Sequence, residues 1–89
     1  MPESRTKTIY DTTYQVLVDC LRAARQQANV TQVDLAQQLG TDQSYVSKYE
    51  RAERRLDVIE VRTICHSLGI TLPEFISSFE KALKKKGVS

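Results

Sequence analysis

Eighty-nine residues are enough for one small domain with a modest core, and they leave little room for a buried active site. With 40% hydrophobic residues and a net charge of +2, the chain has the balance of a folded domain, and its charge permits a polyanionic partner without demanding one. A single histidine, His66, and two distant cysteines, Cys20 and Cys65, make no metal-ligand or CxxC spacing, so no metal, no cofactor and no enzyme is expected.

The opening stretch MPESRTKTIYD is polar and without periodicity. It reads as a flexible arm over residues 1–11, with Arg5 and Lys7 as the cations able to reach a groove. It has no hydrophobic segment of the signal-peptide kind. No apolar run approaches the roughly 18 residues of a membrane span, so a cytoplasmic chain away from membranes is expected.

From Thr12 or Thr13 to Ala28, the residues Tyr14, Leu17, Val18, Leu21, Ala24, Arg25 and Ala28 recur at three- and four-residue steps. That spacing predicts one helical stripe, stopped near Asn29, a residue that tolerates the left-handed conformation. Thr31 opens a second helix with Asp34 at the capping-box position, Leu35, Ala36 and Leu39 inward, and Gly40 as its stop. Thr41 or Asp42 caps a third, running to about Arg51.

After the charged connection ERAERRL, Asp57 and Glu60 head a fourth helix that buries Val61, Ile64, Cys65 and Leu68 and stops at Gly69. Thr71, Pro73 and Glu74 begin a fifth, striped with Leu72, Phe75, Ile76, Phe79 and Leu83, which frays into KKKG. No segment alternates with period two. The fold class expected is all-α, five short helices around one core.

The third helix carries the functional signal. At about 100° per residue, Val46, Tyr49 and Glu50 fall on one side, and Ser44, Ser47, Lys48 and Arg51 on the other, with Gln43 at the exposed N-terminal end. An outward face of hydroxyls, an amide and two cations, with no glutamate, suits base edges and phosphates. Gln32, in the first turn of the second helix, sits where free backbone N–H groups attract a phosphate. A helix lying on the backbone while its successor enters the major groove is helix-turn-helix geometry. Ala36 lets the helices cross closely, Gly40 makes the turn, and Val46 fills the angle between them.

The pattern Gln32-xxx-Ala36-xxx-Gly40-xxxxx-Val46 resembles the helix-turn-helix of phage-repressor-like regulators, the xenobiotic-response-element (XRE) group. The resemblance extends from roughly Leu17 to Phe79. It implies a repressor-like domain over residues 12–83 followed by a basic tail, 84–89, and a transcription regulator that binds double-stranded DNA. Position by position, it implies that Gln43, Ser44 and Lys48 read bases, with Ser47 between them on the same face. It further implies that Gln32 and Arg51 contact the backbone, and that Arg25 and Glu50 form a structural ion pair. Two departures stand out. The connection after the third helix has Ala52 or Glu53 where the family usually has glycine, and Asp42 brings a carboxylate toward the DNA.

Leu72, Phe75 and Ile76 are expected to close the core, leaving Phe79 and Leu83 partly exposed as the seam of a homodimer on a palindromic operator. The same fold also serves antitoxins and other protein-interaction modules, so a partner protein is the alternative expectation.

Overall fold

The computed structural model describes residues 2–88, with side chains from Thr12 to Val88. Five helices follow one another: α1 (Pro2–Gln27), α2 (Gln32–Leu39), α3 (Gln43–Glu50), α4 (Val58–Ser67) and α5 (Leu72–Lys85). No strand interrupts them among the described residues. The expected all-α architecture is the observed one.

Local chemistry sets the boundaries. Thr31, Asp42, Asp57 and Thr71 each adopt an extended backbone and accept the N–H three residues on, at Asp34, Tyr45, Glu60 and Glu74. At Asp57 and Thr71 the glutamate answers back to the cap's own N–H, completing a capping box that satisfies two orphan donors. At the other ends, α1 to α5 close alike. A residue in the left-handed region (Asn29, Gly40, Ala52, Gly69 or Gly87) turns the chain, and the next N–H bonds back across the last turn.

Gly40 has φ +71 with open space where a β-carbon would stand, so conformation and not crowding requires glycine there. Ala52 takes φ 60 with a β-carbon and is the strained member of the set.

The core is one cluster built from α1 to α5: Tyr14, Val18, Leu21, Leu35, Ala36, Val46, Tyr49, Val61, Ile64, Cys65 and Phe75. It tolerates one unpaired polar atom, since the Tyr49 hydroxyl is buried without a hydrogen-bond partner among the described residues. Both cysteines are free thiols, and burial pushes that of Cys65 up to about 11. No helix is long and apolar enough to cross a membrane.

Three expectations need correction. The first helix begins at Pro2, so the boundary at residue 12 is not a break in secondary structure; no glycine or proline stands there to break a helix. The side chains of Arg5 and Lys7 lie outside the described ones. At the far end, α5 includes Lys84 and Lys85, and Gly87 with Val88 closes it, so the helix runs two residues into the expected basic tail.

The third concerns the α5 stripe. Leu83 is buried (8% exposed), Phe79 is half-buried against the core, and Ile76 is exposed at 38%. α1 packs against α5, and Leu83 is closed off within the protomer. The large apolar side chains left exposed are Val33, Val58, Ile59 and Ile76.

Replacing Ala52 with glycine relieves the left-handed strain but adds freedom to the unfolded chain. The strain is the larger of the two, so Ala52→Gly is expected to stabilise the domain by on the order of 0.5–1 kcal/mol. Urea unfolding measures it as a higher midpoint at unchanged slope.

Candidate nucleic-acid interface

The site grows from a buried carboxylate. Glu50 ends α3 and is 1% exposed. Arg25 of α1 meets it side-on, Nε donating to Oε2 at 2.7 Å and Nη2 to Oε1 at 3.0 Å, while its Nη1 donates to the Val30 carbonyl at 2.9 Å. Arg22, one turn earlier, donates to the Glu50 backbone carbonyl at 3.1 Å and lies 3.5 Å from Oε1. One guanidinium thus fixes the side chain and a second caps the exposed carbonyl end of α3, where a cation is favoured. Burial alone would raise the Glu50 pKa. The hydrogen bonds from Arg25 and Gln32, with the charges of Arg25 and Arg22, outweigh burial and hold it below its ordinary value.

From Glu50 the order passes outward. An ionised carboxylate only accepts, so Gln32 must turn its amide nitrogen toward it, and Nε2 donates to Oε1 at 2.9 Å. That leaves the Gln32 oxygen facing away, and Gln43 Nε2 donates to it at 3.2 Å. The direction of both amides follows from one buried charge. Gln43, exposed at the head of α3, keeps one N–H and its carbonyl oxygen for a partner.

The remaining expected residues divide. Ser44 and Lys48 are exposed on the same side of α3 as Gln43. Ser44 donates to Asp42 Oδ1 at 2.7 Å, so its hydroxyl proton is already placed. Ser47 is half-buried and accepts a hydrogen bond from Arg51, so it is less available than its position on the wheel suggests. Arg51 caps α3 and pairs in parallel with Glu53, Nε to Oε2 at 3.1 Å and Nη2 to Oε1 at 3.0 Å. Both partners are about half exposed, a class of pair that holds weakly and yields to a competing anion. Gln32 stands at the first position of α2 as expected, with its side chain committed inward.

The wheel does not reveal the brace beneath the face. Tyr45 is half-buried. Its hydroxyl donates to Glu60 at 3.0 Å, its ring meets Tyr49 edge-on at 5.7 Å between centroids, and Arg54 lies over its face at 4.8 Å. Burial, then the bond to Glu60, pushes its pKa up to about 12. Tyr14 of α1 ties down the loop after α3: its hydroxyl donates to the Arg54 carbonyl at 2.7 Å and accepts from Leu56 N–H at 3.0 Å, with Arg55 stacked over its ring at 4.5 Å. These contacts span about 40 residues of sequence, and no local pattern announces them. Among the described residues, no cluster of His, Cys, Asp or Glu is arranged to hold a metal ion.

Two short helices turning at Gly40, the first braced against the second through Gln32, constitute a helix-turn-helix. The chain belongs to the helix-turn-helix family of XRE type, a class of DNA-binding transcription regulators; the family's sequence profile matches residues 21–75.

Relatives agree. The control protein C.MunI of Mycoplasma sp is 32% identical over 57 residues, which are 64% of this chain and 77% of that one. Among solved structures, an XRE-family like protein from Pseudomonas syringae pv. tomato str. DC3000 is 48% identical. It has a TM-score of 0.79, over 86% of this chain and 94% of that one. The wild-type restriction-modification controller protein C.Esp1396I is 25% identical, with a TM-score of 0.77 over 82% and 95% of the two chains.

Glu50→Ala leaves the Arg25 guanidinium without its carboxylate in a half-buried site, and a loss of about 3–5 kcal/mol is expected. Because the folded pKa of Glu50 is depressed, its contribution is complete above the ordinary value of 4.5 and fades as pH falls through the folded one. Thermal unfolding between pH 7 and pH 3 should therefore show the wild type losing stability below that value. The Ala variant should lose less over the same range.

Proposed function

We propose that this protein is a sequence-specific transcription regulator that lays α3 in the major groove of an operator. Gln43 carries the reading. With one N–H held by Gln32, it offers one donor and one acceptor side by side, the complement of adenine's N7 and N6 edge. Ser44 and Lys48 flank it on the exposed face and suit neighbouring bases, with Ser47 a lesser contributor because of its bond to Arg51.

Backbone contact falls to the α2 N-terminus at Gln32, through main-chain N–H groups and not the committed side chain, and to Arg51, which exchanges Glu53 for a phosphate. Similarity to a control protein and a restriction-modification controller supports the regulatory part of the reading.

The regulator acts as a homodimer on a palindrome, each copy taking one half-site. Of the seam expected at Phe79 and Leu83, Phe79 remains; Leu83 is enclosed in its own protomer, and exposed Ile76, one turn before Phe79, takes its place.

Selection from a random duplex pool at about 100–150 mM salt tests this. Two mirrored half-sites about 10 base pairs apart, centre to centre, are expected, and Gln43→Ala should cost about 1–3 kcal/mol at one A·T position. A single unpaired motif would remove the dimer. No enrichment would overturn the reading and favour a protein partner.

A further inference from the structure

Asp42 is the residue that neither the fold nor the proposed reading fully uses. As the cap of α3 it needs only one oxygen: the Tyr45 N–H and the Ser44 hydroxyl both bond to Oδ1, at 3.4 and 2.7 Å. The side chain is exposed beside Gln43 at the end of the helix that meets base edges. Ser44's bond, then the Tyr45 N–H, lowers the carboxyl's pKa, so it is ionised at neutral pH and accepts only. Its charge also occupies the positive end of α3, which makes a phosphate an unfavourable neighbour there. Ser44, having given its proton to Asp42, likewise presents lone pairs outward.

An acceptor-only tip calls for a donor from the DNA. In the major groove, cytosine offers its N4 amino group alone on its edge. Adenine sets N7 beside its amino group, guanine shows N7 and O6, and thymine shows O4 and a methyl. We infer that Asp42 is a specificity residue that selects cytosine at the base adjoining the one Gln43 reads, through hydrogen bonding to the N4 amino group. The inference rests on the helix-turn-helix reading proposed above and deepens it.

The test is parallel selection of the wild-type chain and Asp42→Asn from the same random duplex pool, followed by binding to duplexes varied at that one position. Asparagine caps a helix as well as aspartate, and an unchanged thermal midpoint checks that α3 is intact. The wild type is expected to enrich cytosine next to the adenine assigned to Gln43. In Asp42→Asn, the preference for cytosine over the other bases should fall by about tenfold while the rest of the motif persists.

If the wild type enriches a motif but Asp42→Asn keeps the same cytosine preference, the inference is overturned. It is overturned equally if the variant gains affinity to the same degree for every sequence, because the carboxylate would then act only as a repulsive charge. If the wild type enriches nothing, the helix-turn-helix reading itself falls, a result distinct from either.

Discussion

A single buried carboxylate orders this protein from its core to its surface. Glu50 is the one buried charged residue among those described, and removing a charge from water is unfavourable unless partners replace the lost hydration. Arg25, Arg22 and Gln32 do so from α1 and α2, which fixes the angle at which α3 leaves the core. A well-packed apolar pair could stabilise a small core as well as an ion pair does. What it could not do is dictate the direction of an amide on α2 and, through it, of a second amide on α3. The charge supplies orientation more than it supplies stability.

That arrangement separates two tasks within eight residues. Val46, Tyr49 and Glu50 face inward and anchor α3, while Gln43, Ser44 and Lys48 face out and are free to be chosen for what they touch. A helix this short is marginal alone, so its rigidity must come from the caps at either end and from the packing beneath. Asp42 starts it, Arg51 and the turn at Ala52 end it, and Tyr14 holds the following loop from α1. The strained Ala52 sits where the family's glycine would make the turn easier, which points to a helix end stabilised by its surroundings and not by local preference.

Much of this is legible in the sequence because it is local. Thr31, Asp57 with Glu60, and Thr71 with Glu74 announce three helix starts, and Asn29, Gly40 and Gly69 three ends, since each satisfies backbone groups within a few residues. The pairing of Arg25 with Glu50 follows from family likeness, helped by an arginine standing on an apolar stripe. What stays hidden depends on distance in sequence. The link from Gln32 to Gln43, the Tyr14 anchor, and the exchange of burial between Ile76 and Leu83 arise only when α1 lies along α5 and α2 crosses α3. A helical wheel places Arg51 and Ser47 outward, but it has no means of showing that they bond to each other and that Arg51 reaches Glu53.

The central claim is that Glu50, acting through Gln32, holds Gln43 ready to read one base. A crystal structure of the chain on the duplex it selects tests that most directly. Gln43 is expected to bridge a single adenine with its oxygen and outer N–H, while the inner N–H remains on Gln32 and Gln32 on Glu50. Finding Gln43 on a base with its bond to Gln32 broken, or α3 turned away from the groove, would contradict it.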